Sequence, residues 1–141
     1  MSKRSNSRKL AMRMLYQFSI RSEHTIASIA ESMETNAFAE DTVSWAITLS
    51  ETVVNHLDMI DSVIESLAIE WNLERIHLID KALLRLGIAE IKFIETPFQV
   101  VMNEIIELSK EYSTDDSPKF INGILGKFIE NELKETECLP D

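Results

Sequence analysis

Turn-forming and cross-linking residues are scarce in this chain, which has three glycines, three prolines and one cysteine in 141 residues. A sheet protein asks for turn residues roughly every 8–12 positions, so a hairpin-built fold is excluded. The lone Cys138 lies in a polar tail without a partner in the chain, which excludes a disulfide scaffold and a thiolate metal cluster and suits a reducing cytoplasm. Charges interrupt every apolar run well before the length of a membrane span. Residues 1–21 also lack the apolar stretch of a signal peptide, so the expectation is a cytoplasmic protein, neither exported nor integral to a membrane. Acid, too, is missing in one place. Residues 1–22 carry Lys3, Arg4, Arg8, Lys9, Arg13 and Arg21 with no Asp or Glu.

What is present fits one domain with a core of its own, since 45% of residues are hydrophobic and 27% charged. The formal net charge of -10 by itself argues against a dedicated nucleic-acid binder. Its distribution changes that reading. The +6 head is followed, over residues 23–80, by twelve acidic groups against the single cation Arg75, a section of -11. Such polarity allows phosphate contact at one end and a basic protein partner on the acidic face.

Apolar residues recur at helical spacing almost throughout. Leu10, Met14 and Phe18 mark a helix from about Ser7 to Ile20, with Arg8, Lys9 and Arg13 along or beside its wetter side. Thr25 caps a short helix through Met33, and Asp41 is the expected cap of the next. Helices follow at about 41–56 and 58–70, or as one bent helix. Asn72 is read as the cap of a long helix running past Ile91, in which Gly87 sits at a cost of nearly 1 kcal/mol in propensity and therefore implies close helix packing. Thr96, Pro97 and Gln99 form a cap, first-turn proline and capping-box pattern, and Ser117 with Pro118 repeats the cap and proline. The final helix uses Phe120, Ile121, Ile124, Leu125 and Phe128, and the tail over 134–141 is expected to fray. Seven helices with short loops imply an all-α fold of two small bundles, about 7–70 and 72–134 within one domain, bridged by the long helix.

No pattern for chemistry emerges. His24, His56 and His77 are far apart, no phosphate-binding glycine loop exists, and Asp115–Asp116 lack the alternation of a calcium loop. The pairs Glu104–Glu107 and Asp58–Asp61 stand one helical turn apart and read as solvated surface rather than acid–base dyads. The expectation is a non-enzyme with no catalytic residue, metal or cofactor.

Asp80-Lys81-Ala82-Leu83-Leu84-Arg85-Leu86, then Pro97, Asn103-Glu104, Glu107-Leu108 and Lys110, and finally Lys119-Phe120-Ile121-Asn122-Gly123 follow one another in a characteristic order. With Arg8, Leu15-Tyr16-Gln17, Ile60-Asp61, Trp71 and Arg75, they resemble the NusB family of transcription antitermination factors over about residues 8–129. The resemblance implies two three-helix bundles. It also implies binding of boxA-type single-stranded RNA together with the small-subunit ribosomal protein NusE, in an antitermination complex with RNA polymerase that supports ribosomal RNA synthesis. Carried over by position, the RNA surface comprises Arg4, Arg8, Lys9, Asp116, Lys119 and Phe120. Arginine and lysine would neutralise phosphate there and Phe120 would stack on a base, although its spacing with Ile124 equally suits a core residue. The partner surface comprises Tyr16, Glu74 and Asp80.

This chain departs from the family pattern in two places. Ser5, Asn6 and Ser7 interrupt the usual arginine cluster, and Thr52 stands where members often have glycine. The thinned cluster motivates an alternative, a protein-interaction module with weak or lost RNA binding. A third possibility is an accessory domain like that preceding the catalytic part of some RNA cytosine methyltransferases. Homodimerisation that hides the RNA surface is a further possibility within the family.

Overall fold

The three- and four-residue apolar spacing is realised as helix. The computed structural model describes residues 2–21, 23–69 and 73–138. Among them are seven α-helices and no strand: α1 (Lys3–Ile20), α2 (Ile26–Ser32), α3 (Glu40–Asn55), α4 (Leu57–Leu67), α5 (Leu78–Ala89), α6 (Phe98–Tyr112) and α7 (Ser117–Cys138). The helix count and the all-α class agree with the sequence reading. Among the described residues no helix is long and apolar enough to cross a membrane. Trp71 and the expected cap Asn72 lie outside the described residues.

Local capping chemistry sets the helix ends, and several differ from the sequence expectation. Helix α1 begins before Ser7 because the Ser2 hydroxyl accepts the Ser5 N–H at 3.1 Å. Thr25 caps α2 as expected, accepting the Ser28 N–H at 3.1 Å. Asp41 is not a cap; α3 starts at Glu40, and both acids lie in its first turn, where the helix dipole favours negative charge. Helices α3 and α4 are separate and break at His56, whose ring stacks on Phe93 with centroids 3.8 Å apart. The long helix expected from Asn72 begins only at Leu78, after a 3-10 turn at Leu73–Arg75, and the His77 ring caps it by accepting the Ile79 N–H.

Its far end departs further from the expectation. Rather than run straight past Ile91, the chain widens into a π-helical turn at Glu90–Ile94 and stops at Glu95, with φ of 62°. A non-glycine residue in that left-handed region costs about 1–2 kcal/mol. The Thr96 N–H closes this turn onto the Glu90 carbonyl. Thr96 does not cap α6, which starts at Phe98 with Pro97 in the cap position and no side-chain hydrogen bond. Ser117 likewise lies inside α7, and α7 runs past Leu133 to Cys138.

Helix α5 is buried on nearly every side and packs on α1, α3, α4, α6 and α7. Gly87 makes that approach possible. A Cβ there would lie 3.2 Å from both terminal methyls of Leu125 and 3.5 Å from Ile105, which bears out the close packing expected of it. Gly123 is different, since a Cβ would meet nothing within 4 Å, so its helix does not depend on glycine for packing.

Two arginines lie inside rather than outside this core. Arg8, expected on the wetter side of α1, is 3% exposed, and its Nε donates to the two oxygens of Glu90 at 3.0 and 2.9 Å. Its Nη1 donates to Glu104 at 3.0 Å, and Glu104 also accepts the Ser5 hydroxyl. Arg85 binds Asp61 through Nε and Nη2 at 2.8 and 2.9 Å and reaches the Ser19 hydroxyl at 3.3 Å, joining α5 to α4 and α1. Glu104 and Asp61 are thus internal ion partners, correcting their reading as solvated surface. Glu107 and Asp58 are exposed, as expected.

Removing one partner of a buried pair leaves an uncompensated charge. Arg8→Met and Glu90→Met are each expected to cost about 3–5 kcal/mol, and the double variant much less than their sum. Urea unfolding measures this; additive losses would show that the two groups do not act as a pair. At Gly87, valine forces Leu125 aside and should cost about 1–3 kcal/mol, read from the same midpoints.

Candidate nucleic-acid interface

The carboxy-terminal part of the candidate surface forms at the start of α7. Pro118 suits the first helical turn, where its missing N–H has no partner to lose. Beyond it the buried stripe is Ile121, Leu125 and Phe128, with Ile124 at its margin. Asp116, Lys119, Phe120, Gly123, Ile124 and Lys127 fall at three- and four-residue spacing on the outer side. They face Leu67, Ala68 and Ile69 at the end of α4 across a groove of about 610 Å³. Lys119 is exposed and Ile69 almost fully so at 84%. Phe120 is half-buried and packs against the core, so it is at once an edge of the apolar stripe and a wall of the groove.

A second, smaller cleft of about 250 Å³ shares the Asp116 and Phe120 wall. Its other sides include Arg75, His77, Asp80 and Ser117. The structure thus brings Asp116, Lys119 and Phe120 together and adds Lys127, which the sequence reading missed. The signal for Lys127 was available, since it lies two helical turns beyond Lys119 on the same side of one helix.

The α1 cations divide among three environments. Arg4 lies over the Trp45 ring at 3.8 Å, in a groove of about 340 Å³ between α1 and α3. There Lys3 donates to Asp41 at 2.9 Å, and this hydrogen bond holds the Asp41 carboxyl below the usual carboxylate range. Lys9 and Arg13 approach the face of Tyr112 at 5.4 and 6.0 Å. Tyr112 is the last residue of α6, so these two cations stand beside the corner from which α7 departs.

Arg8 approaches the same Trp45 ring at 5.5 Å but is buried, with its hydrogen bonds made to Glu90 and Glu104. Burial opposes its charge, but the hydrogen bonds and negative charges of Glu90 and Glu104 outweigh that, and the guanidinium is held even more firmly protonated than usual. Its donors point inward, which corrects the expectation of Arg8 at the RNA surface. Trp45 and Tyr112 as platforms for α1 cations, and Glu90 and Glu104 as partners of Arg8, had no sequence signal, because helical spacing does not reveal contacts between distant segments.

The three residues of the expected partner surface lie on three different elements, α1, the 3-10 turn and α5. Glu74 is exposed on the 3-10 turn, close enough to Lys81 for its charge to act there. Burial and the nearby Arg85 push the Lys81 ammonium down, against the pull of Asp61 and Glu74. Tyr16 is half-buried on α1. Asp80 is buried, and its oxygens accept the Ser113 and Ser117 hydroxyls at 2.6 and 2.9 Å. Among the described residues, no three or more His, Cys, Asp or Glu side chains gather in a way that could hold a metal ion.

Comparison with known proteins places this arrangement. The model of the NusB family matches residues 5–130. The transcription antitermination protein NusB of Thermoanaerobacter sp. (strain X514) is 38% identical, over 95% of this chain and 96% of that one. The structure of T. maritima NusB superposes with a TM-score of 0.82 at 29% identity, covering 90% of this chain and 89% of that one. A crystal structure of the antitermination factors NusB and NusE in complex with dsRNA superposes with a TM-score of 0.81 at 30% identity, covering 93% and 98%. The chain belongs to the NusB family of transcription antitermination proteins.

Proposed function

We propose that this protein binds boxA-type single-stranded RNA jointly with the small-subunit ribosomal protein NusE, in a cytoplasmic antitermination complex with RNA polymerase that serves ribosomal RNA synthesis. The observation that carries the reading is the groove at the start of α7, where Lys119 and Lys127 flank Phe120. Cations for phosphate beside an aromatic ring for a base are what single-strand binding uses. A structural relative is in complex with NusE and dsRNA, which supports RNA and that protein as ligands; the single-stranded form is inferred from the exposed groove and its aromatic ring. Lys9 and Arg13 at Tyr112 extend the cationic surface around the corner. The acid surplus of residues 23–80 suits a basic ribosomal partner by steering encounter.

The burial of Arg8 favours one alternative, a module that binds the protein partner with little RNA contribution, because it removes a cation from an already thin cluster. The two readings separate in a binding titration of boxA-type RNA at several salt concentrations, with and without NusE. Joint binding is expected, and Phe120→Ala should weaken it by roughly 5- to 150-fold, the range that loss of one stacked base implies. Lys119→Ala should flatten the salt dependence by about 0.7 log unit per decade, the share of one phosphate on a single strand. NusE binding with no RNA contribution would establish the alternative, and binding of neither ligand would remove both.

A further inference from the structure

Asp80 was expected on the partner-docking surface, yet its geometry ties it to the groove. It sits in the first turn of α5, 5% exposed, and each carboxylate oxygen accepts a separate hydroxyl. The two donors bracket the corner between α6 and α7: Ser113 is the C-cap of α6 and Ser117 the first residue of α7. Their oxygens lie 2.8 Å apart, and that of Ser117 also accepts the Thr114 N–H at 3.1 Å. The corner is thus drawn onto one buried carboxylate.

The corner itself has little apolar anchoring ahead of Ile121. Thr114, Asp115 and Asp116 are exposed, and the first fully buried apolar side chain of α7 is Ile121. Lys119 and Phe120 come before that anchor, in the first turn of the helix. The Phe120 N–H bonds the Asp116 carbonyl at 3.1 Å, so the ring is carried by the backbone that the serines hold. A charged acceptor makes stronger hydrogen bonds to hydroxyls than a neutral one. A ligand-stacking ring displaced by about 1 Å loses much of its contact.

We infer that Asp80 is a positioning residue for the RNA groove, fixing the 113–117 corner and through it the first turn of α7 that presents Lys119 and Phe120. This rests on the RNA-binding reading above. Asp80 acts through hydrogen bonds to Ser113 and Ser117, and its negative charge is not what a ligand reads.

The test compares RNA and NusE affinities of the full chain carrying Asp80→Ala, Asp80→Asn, or Ser113→Ala with Ser117→Ala, and combines Asp80→Ala with Phe120→Ala. Asparagine can still engage both hydroxyls, whose donor and acceptor roles can reverse, so Asp80→Asn should keep most RNA affinity. Asp80→Ala and the double serine variant should each lose roughly tenfold, within the value of one stacked base. Asp80→Ala should add little on top of Phe120→Ala, a non-additivity that general destabilisation does not produce. Should the alanine variant fail to fold, the asparagine and serine variants decide the matter alone. The inference is overturned if the serine variants bind RNA like wild type. It is equally overturned if Asp80→Asn and Asp80→Ala weaken NusE binding alike and spare RNA, which would make Asp80 a charge read by the partner. Wild-type protein that binds no RNA would sink the functional reading itself, an outcome distinct from either.

Discussion

The ion pair between Arg8 and Glu90 is the constraint on which the presentation of α1 depends. It joins residues 82 positions apart in the sequence, on α1 and on the π-helical turn after α5, and Glu104 adds α6 to the same knot. Desolvating both charges is costly, so the pair adds little net stability, but any arrangement that separates its partners leaves a buried charge alone. Here the arrangement is the rotation of α1 about its own axis. With Arg8 turned into the core, Arg4 rests on Trp45 while Lys9 and Arg13 turn toward Tyr112. An α1 rotated by a quarter turn would carry its cations to other neighbours and leave Glu90 alone inside.

That commitment changes the electrostatic account of the surface. A +6 head read from sequence suggests six cations awaiting phosphate. The fold withdraws Arg8 into the core and engages Lys3 with Asp41. The surface pair Lys3–Asp41 is worth little in stability but lowers the field at that end of the helix. The basic edge of the groove comes instead from α7, through Lys119 and Lys127, and from Lys9 and Arg13 near the corner. Interruption of the amino-terminal arginines by Ser5, Asn6 and Ser7 is therefore not simply a loss: Ser5 donates to Glu104 and Ser7 to the Thr42 carbonyl, so two of the three hold α1 in place.

Much of the fold was legible because helices are local. Leu10, Met14 and Phe18, or Ile121, Leu125 and Phe128, announce their helices through spacing alone, and the packing role of Gly87 followed from the cost of glycine in a helix. Less was legible where the outcome depends on contacts across the chain. An arginine on a helix reads as solvent-facing until its acidic partners are known, and Glu90 and Glu104 lie far along the sequence from Arg8. Asp80 was expected on the partner surface, and the two serines that bind its carboxylate belong to another helix pair. The π-helical turn had no signal either, since Ile91 and Ile94 continue an ordinary helical period through it. The capping pattern at Thr96 and Pro97 misplaced the helix start by one residue, since Pro97 takes the cap position and α6 begins at Phe98.

Asp80 and Glu90 are the two buried carboxylates of the segment that begins with α5, about 15 Å apart along a helical rise. One holds the corner that starts α7, and the other holds the arginine that orients α1. The segment between them is apolar apart from Lys81 and Arg85, carries Gly87 against Leu125, and is gripped by five other helices, so it serves as a stiff spacer. Its stiffness sets the distance between the two surfaces that it positions. The cations at Tyr112 and the ring of Phe120 reach their places from separate segments of the chain, and what fixes their separation is a rod that neither of them belongs to. A surface assembled in this way should tolerate exchange of individual exposed cations more readily than loss of the hydrogen-bonding groups at the two ends of that rod.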